Sequence, residues 1–547
     1  MLQNTTVPNI IISYVTQSIF CRDYYLNRLP DDPSVKAYQT FLKDSAQLFG
    51  AASTEAHKFS IDMFNFEKRL AEITPDFEYL ADPLKTFNRM TMKDLHTMSM
   101  NIPWLEIAKA AFSEAPLSED TQVVVISPQY VADIAVILST TDRGSLNNYL
   151  MWQLARAYMP YLSKPFRESV DQYRKALTGA SKPPERWEFC AFTTERFFSH
   201  LTSAMVAEAR PRTEDVERQK VAKKMFDYLK HNIARSISVS SAYDYPARRA
   251  AISKLKNMTV QIGTPDFLRD RKYLKFLYKD LSVQKTDFFQ NILYGVVFLR
   301  KRQELALVSP SEETRWMEAL NDDLSQEKSA LKSVAYVTSA NKVVVPETFL
   351  QAPVFHPGFP NSVNLGGLGV YMAKAMLEGV LGRGLLFEAD GRLRPHNGSL
   401  FGFGQGEEAS GFQDPRPVLE NDAKCLVDKY SATGLETVDQ LLKCRMDSAM
   451  TVAAVWQAYV TLEDILELER GILLPAMETM DPQAIFFLAF GQTLCSVSTV
   501  DASDIQRTAW NSLGNRARLM GSLSQVFKFQ HFYHCPYDEE QSCGRLV

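Results

Sequence analysis

The sequence has little of what several common functional classes require. Its 547 residues carry 60 Lys and Arg against 64 Asp and Glu, and this slightly negative balance provides no basic field for nucleic acid. Apolar runs such as Ile485–Phe490 are shorter than the roughly 20 residues that cross a bilayer. The N-terminus lacks the charged region and the cleavage site of a secretory signal. We therefore expect a soluble chain that carries neither a signal nor a transmembrane segment.

Cysteine and histidine are also sparse and scattered. The seven cysteines include no Cys-x-x-Cys pair, which argues against a structural zinc ribbon. None of the eight histidines lies four residues from another, so the chain has no pair of imidazoles one helical turn apart. His531 and His534 lie three residues apart beside Cys535, and we interpret them as structural residues. A Gly-x-Ser-x-Gly motif is absent as well, so nothing supports a serine hydrolase.

Helical periodicity dominates residues 1–308, and a stretch rich in Ser, Pro and Glu follows as the best candidate for a domain boundary. Ser34–Ile73 has helical spacing, whereas Val123–Pro128 is a brief β-like exception. The run Phe288–Leu299 is apolar nearly all round, which predicts a buried helix. The composition is sufficient for a large core, and we expect two domains, residues 1–308 and 309–547.

Glycine is concentrated in one stretch, Val363–Gly379, where three closely spaced glycines precede a run of good helix formers. We expect the glycines to break the backbone and the following residues to form a helix, with Lys374 and Glu378 one turn apart on one face. A dinucleotide-binding loop is an alternative, but it needs a small residue where Met372 stands and a strand before it. A plain helix start with an incidental Lys–Glu pair also stays open.

The stretch resembles the zinc helix of the neprilysin and endothelin-converting-enzyme family of zinc metallopeptidases. Members of that family carry Asn-x-Gly-Gly-x-Gly followed by His-Glu-x-x-His-Gly, and the glycines, Gly379 included, match here. By this resemblance, Lys374, Ala375 and Glu378 occupy the positions of the first zinc-binding His, the catalytic Glu and the second His. The resemblance therefore implies a divergent member that has lost its zinc motif and needs no cofactor.

Short matches to the family extend in the same order over nearly the whole chain, among them Arg186-Trp187, Ile262–Asp266 and Phe486–Phe490. They imply a mainly α fold, a two-lobed neprilysin-like shell with a thermolysin-like C-terminal lobe and small β elements. Residues 1–308 would form the helical N-terminal domain, N-terminally incomplete. Residues 309–547 would form a peptidase-type domain that is catalytically degenerate.

The resemblance also assigns the remaining site positions. Cys444 corresponds to the third zinc ligand, a Glu in the family, and Asn511 corresponds to the His that stabilises the transition state. Arg518 matches the substrate-binding Arg and is retained. The substrate-binding Asn-Ala-Tyr/Phe corresponds to the segment from Ser333 to Ala335, so its Asn is missing.

The cysteines carry a further implication of the resemblance. Cys425 and Cys543 match a disulfide of the family. Cys190, Cys495 and Cys535 match cysteines that pair with N-terminal segments absent here, which implies an incomplete N-terminus or a reducing compartment. The family lives outside the cell or at its surface, as a glycoprotein with disulfide bonds. Three Asn-x-Ser/Thr sequons, at Asn4, Asn257 and Asn397, are compatible with secretion and settle nothing alone.

Three functions stay open at this point. The leading hypothesis is a non-catalytic neprilysin-like protein, a pseudopeptidase, that binds peptides or a partner protein. Weak binding would use Arg518 and an apolar pocket formed by Val370, Tyr371 and Met372 together with Leu494. The alternative is an active zinc metalloendopeptidase with an atypical metal site, against which the ammonium group of Lys374 argues. A structural or receptor-type protein with a filled cleft is the third.

Overall fold

The computed structural model describes residues 10–12, 22–241, 243–308, 333–394, 424–428, 445–468, 474–503, 513–535 and 543. Helices dominate these residues, and the strands form two small sheets, so the prediction of a mainly α fold is confirmed. None of the helices in these ranges is long and apolar enough to cross a membrane.

Within the described residues, fifteen α-helices precede residue 309. They are α1 (Arg22–Asn27), α2 (Pro33–Leu48), α3 (Ser53–Ile73), α4 (Phe77–Leu80), α5 (Pro83–Thr86), α6 (Met92–Met98), α7 (Trp104–Ala111), α8 (Pro128–Thr140), α9 (Arg143–Tyr158), α10 (Lys164–Thr178), α11 (Arg186–Glu208), α12 (Arg212–Val239), α13 (Tyr245–Asn257), α14 (Arg271–Leu277) and α15 (Phe288–Val308). Six more follow in the described residues: α16 (Asn361–Asn364), α17 (Val370–Val380), α18 (Arg445–Leu468), α19 (Pro482–Thr493), α20 (Asn515–Ser524) and α21 (Phe527–Tyr533).

Short polar side chains define where many of these helices begin. Asp32 accepts a hydrogen bond from the Ser34 amide at the start of α2, and Ser127 accepts one from the Tyr130 amide at the start of α8. Such caps satisfy amide groups that have no partner inside the helix. The helical spacing predicted over Ser34–Ile73 is confirmed as two helices, separated by a turn in which Gly50 has a φ of 99°.

Two three-stranded sheets accompany the helices. The first has the order β1-β3-β2, where β1 is Ile10–Ile12, β2 is Asn88–Thr91 and β3 is Gln122–Val125. The second has the order β4-β6-β5, where β4 is Thr259–Ile262, β5 is Ala335–Val337 and β6 is Lys342–Val345. β4 runs parallel to β6 and β5 runs antiparallel to it, so β5 lies at an edge of its sheet. The β-like segment predicted near residue 123 is confirmed as β3.

The main hydrophobic core combines residues from both sides of position 308. Side chains of α12, α13 and β4 pack in the same core as those of α17 and α18. Polar contacts also join α12 to α18, since the Asn232 amide donates to Thr461 Oγ1 at 3.1 Å and Ser236 donates to Gln457 at 3.2 Å. The domain division at 308 stays a prediction, because the residues that follow it lie outside the described ranges. The packing of the core does not follow that division.

The expectation that Phe288–Leu299 is buried nearly all round is wrong. Val297 is 54% exposed, and Leu305, farther along the same helix, is 65% exposed. α15 packs on one side, where a Cβ on Gly295 would lie 2.5 Å from the Phe197 ring of α11. The sequence shows how apolar a helix is, whereas the number of neighbouring elements decides how much of it is buried.

A second core, formed by helices between residues 22 and 178, contains a buried carboxyl group. Glu67 of α3 is inaccessible to solvent, and its oxygens accept hydrogen bonds from Tyr25 (2.9 Å) and Tyr38 (3.0 Å). Burial raises the pKa of Glu67 from 4.5 to about 7, and the two tyrosine hydroxyls offset this effect only in part. Sequence reasoning missed this group.

Glu67 should make stability depend on pH. Between pH 4.5 and about 7 the folded protein keeps a proton that the unfolded chain has released, so the free energy of unfolding should fall as pH rises through this window. Glu67→Gln should reduce the change in the free energy of unfolding across this pH window by on the order of 1–3 kcal/mol. Urea unfolding at several pH values measures it, and Glu72→Gln, at an exposed position of the same helix, is the matched control. An unchanged pH dependence in Glu67→Gln would contradict the assignment.

Candidate functional site

The glycine-rich stretch folds as one continuous helical segment. α16 leads into a π-helical turn, Leu365–Gly369, which continues directly into α17. The expectation that the glycines break the backbone is therefore wrong. Gly369 itself has helical angles, with φ of −60° and ψ of −42°.

Close packing explains the glycines instead. A Cβ on Gly366 would lie 2.2 Å from the backbone oxygen of Phe486 in α19, and a Cβ on Gly367 would lie 2.2 Å from the backbone oxygen of Val354. The amide of Leu368 also donates to Val354 O at 3.3 Å. Two neighbouring backbones thus lie directly against this segment, and no side chain fits between them.

α17 is buried on all sides but one. Tyr371, Lys374 and Glu378 are partly exposed, at the spacing of a single helix face, whereas Ala375 is 1% exposed. The prediction that Lys374 and Glu378 share a face agrees with this pattern. The predicted apolar pocket is wrong in part, because Val370, Met372 and Leu494 are 3%, 0% and 8% exposed and belong to the main core.

Tyr336, in the edge strand β5, lies near Glu378 of α17. Burial raises the pKa of Tyr336 above its ordinary range, and the negative charge of Glu378 adds to the effect. The Tyr336 hydroxyl donates to Asn341 Oδ1 at 2.9 Å. Its ring packs so closely on α17 that a Cβ on Gly379 would lie 2.8 Å from it. The glycine that ends the family motif is thus required here for contact with β5.

Lys254 of α13 is a buried cation that sequence reasoning missed. The side chain is 1% exposed, its Nζ donates to the Gly384 carbonyl at 2.6 Å, and it lies 5.5 Å from the centre of the Tyr336 ring. Burial, with a smaller contribution from the charge of Arg394, lowers the pKa of Lys254 to about 7. A signal was present in the sequence, because Lys254 lies three residues after Ala251 on the apolar face of α13.

The remaining predicted site residues fall on neighbouring elements or outside the described ranges. Arg518 lies partly exposed on α20, which packs against α18, and α18 packs in turn against α17. Ser333 is exposed just before β5, and Ala335 begins that strand opposite Val344. β5 packs against α17. Cys444 and Asn511 lie outside the described residues, so their roles stay predictions.

The disulfide implied by the resemblance is confirmed. Cys425 and Cys543 are bonded, with their Cα atoms 5.7 Å apart, and the link joins positions 118 residues apart in the sequence. Cys190, Cys495 and Cys535 are exposed free thiols.

The side chains of α17 do not suit a zinc ion. Zn²⁺ in proteins is held by His nitrogen, Cys sulfur or carboxylate oxygen. Of the three motif positions, only Glu378 offers such an atom, since Lys374 carries a positive charge and Ala375 has no donor. Across the described ranges, no group of three or more His, Cys, Asp and Glu side chains is arranged to hold a metal.

Two sequence models of peptidase family M13 match the chain, the N-terminal one over residues 3–265 and the other over residues 334–543. The chain belongs to peptidase family M13. Endothelin-converting enzyme 1 of Rattus norvegicus is 26% identical to this M13 member over 527 residues, which cover 94% of the chain and 65% of the rat protein. The chain thus spans slightly less than two thirds of that relative. An endothelin-converting enzyme homolog of Locusta migratoria is 28% identical and covers 94% of the chain.

Solved structures show the same M13 fold. The Mycobacterium tuberculosis zinc metalloprotease Zmp1 in complex with an inhibitor superposes with a TM-score of 0.81 at 17% identity, covering 98% of this chain and 78% of Zmp1. PepO from Lactobacillus rhamnosis superposes with a TM-score of 0.75 at 14% identity, with the same coverage. The family and the mainly helical, two-lobed shell predicted from the sequence are both confirmed.

Gly367→Ala should destabilise this M13 member by about 1–3 kcal/mol, because the new methyl group overlaps the Val354 carbonyl and the backbone must shift. Gly491→Ala is the matched control in a helix. Its added Cβ would lie 3.8 Å from Leu519, so replacement of a helical glycine should be neutral or stabilising. Thermal and urea unfolding measure both variants. Equal stability of the two would show that the glycines are not required for packing.

Proposed function

We propose that this M13 member is a pseudopeptidase that binds peptides without cleaving them. The observation that carries the proposal is the makeup of α17, where Lys374, Ala375 and Glu378 replace the chemical groups of a zinc peptidase on an intact helical scaffold. Such an enzyme needs two imidazole ligands, a further ligand and a carboxylate that activates water. Ala375 offers no base, and its methyl group is buried.

Repulsion between positive charges is a second argument against zinc binding, in addition to the missing ligands. At an effective dielectric constant near 20, an ammonium group and a divalent cation about 4 Å apart repel by roughly 8 kcal/mol. That repulsion is a large part of the roughly 10–16 kcal/mol with which a complete set of ligands binds structural zinc. By the same arithmetic the attraction of one carboxylate, Glu378, offsets this repulsion, but the binding energy of the missing imidazoles is still not supplied. An atypical zinc site at α17 is therefore disfavoured on energetic grounds.

The edge strand β5 supports peptide binding. Antiparallel pairing with β6 uses one edge of β5, and an extended peptide can add to the other edge of such a strand through its main chain. Ser333, at the entry to β5, has a shorter side chain than the Asn that the resemblance implies there, and this removes one anchor. Arg518, partly exposed on α20, supplies a guanidinium that can donate two hydrogen bonds to carbonyl or carboxylate oxygens.

The purified full-length chain should contain far less than one zinc ion per molecule and should leave short peptides intact. Elemental analysis and mass spectrometry of peptides incubated with the protein test this, before and after addition of zinc. Glu378→Ala is the matched variant, because it removes the one ligand-type side chain among the three motif positions. The active-enzyme alternative would be established by three results together. The protein would hold one equivalent of zinc, Glu378→Ala would lose that zinc, and a chelator would stop cleavage of the peptides.

Short hydrophobic peptides should bind with a Kd of about 0.1–1 mM, since both the zinc and the Asn anchor are missing. Arg518→Ala should weaken binding about tenfold, which is the effect of losing a charge-assisted hydrogen bond. Arg516→Ala, exposed on the same helix, should leave the Kd unchanged. Calorimetry or NMR titration measures all three proteins. Absence of binding, or an Arg518→Ala variant that binds as the parent does, would favour the structural protein with a filled cleft.

A further inference from the structure

We infer that Asn257 is an N-glycosylation site on the outer surface of the main core. Asn257-Met258-Thr259 is a sequon, and it lies where α13 ends and β4 begins. The other two sequons, at Asn4 and Asn397, lie outside the described residues. Asn257 is thus the acceptor whose surroundings the structure shows.

The middle residue of the sequon is buried, and the residues on either side of it are exposed. Asn257 and Thr259 are exposed, whereas Met258 is 2% exposed and its side chain reaches the position that a Cβ on Gly379 would occupy. Burial of the middle residue anchors the turn, and the acceptor residue and the Thr on either side of it are exposed. A glycan on Asn257 therefore extends away from the core.

The local hydrogen bond is compatible with the modification. Asn257 Nδ2 donates to the Ser253 carbonyl at 3.0 Å. An amide nitrogen that carries a sugar still has one N–H group, so the glycosylated side chain can keep this bond. Because Asn257 is the last residue of α13, only the final helical turn needs to open for the acceptor to become accessible.

The glycan is transferred to Asn257 from a common class of donor, an oligosaccharide that is linked to a lipid through a diphosphate. A C–N bond forms between Asn257 Nδ2 and the anomeric carbon, and the anomeric C–O bond to the diphosphate breaks. The lipid diphosphate leaves with that electron pair, and Nδ2 loses one proton. No oxidant or reductant takes part.

The disulfide provides an independent argument for the compartment. A bond between Cys425 and Cys543 forms and persists in an oxidising environment, such as the lumen of the secretory pathway. N-glycosylation modifies secreted proteins in that pathway. The sequon and the disulfide thus point to the same route of maturation, and neither depends on whether the protein cleaves or binds peptides.

The test uses the full chain, directed through the secretory pathway of insect cells by an added cleavable signal. Secreted protein is treated in heavy-oxygen water with an amidase that releases N-glycans, and the peptide Asn257–Arg269 is then sequenced by mass spectrometry. Conversion of position 257 to labelled Asp is expected. Thr259→Ala should abolish the label, while Thr259→Ser, which keeps an acceptor hydroxyl, should retain it.

Two results would overturn the inference. One is an unlabelled Asn257 in secreted wild-type protein in which peptide mapping finds the 425–543 bond closed. The other is labelling that persists in Thr259→Ala, which would mean that the sequon does not direct it. Because the wild-type peptide map alone decides the first result, poor folding of a variant does not prevent the test.

Discussion

Backbone-to-backbone contact around the helical segment Asn361–Val380 positions the elements of the candidate site. Gly366 lies against the main chain of α19, and Gly367 lies against the main chain near Val354. A Cβ at either position would overlap a carbonyl oxygen. These contacts therefore fix both the position of the segment along its axis and its rotation about that axis. The face formed by Tyr371, Lys374 and Glu378 then has one possible direction, and β5 and α18 pack against α17.

The protein keeps the scaffold of its family while changing the charges on it. At the three positions that the resemblance aligns with two imidazoles and a carboxylate, α17 carries an ammonium, a methyl group and a single carboxylate. A further cation, Lys254, lies buried near the end of α17 and is held by the Gly384 carbonyl and two aromatic rings. The core around α17 is stabilised by packing and by side-chain contacts, and the described residues contain no group of three or more His, Cys, Asp and Glu side chains that could hold a metal.

Local patterns in the sequence predicted the helices, the strand near residue 123 and the shared face of Lys374 and Glu378. The resemblance supplied the family, the two-lobed shell and the bond between Cys425 and Cys543. Features set by distant contacts were not predictable. The helical glycines were misread because the carbonyl of Val354 is not visible in the sequence around Gly367, and the exposure of Val297 depends on how many elements surround α15. The burial of Lys254 is not predictable from the sequence alone, because lysine side chains are almost always exposed.

We propose that α17 retains the shape of a zinc helix but cannot hold zinc. Diffraction from crystals grown with equimolar zinc, collected at the zinc absorption edge, tests it most directly, because anomalous scattering locates the metal itself. The account predicts no anomalous peak within coordination distance of the Glu378 carboxylate. A fully occupied peak bound to Glu378 would contradict it and would identify the other ligands at once.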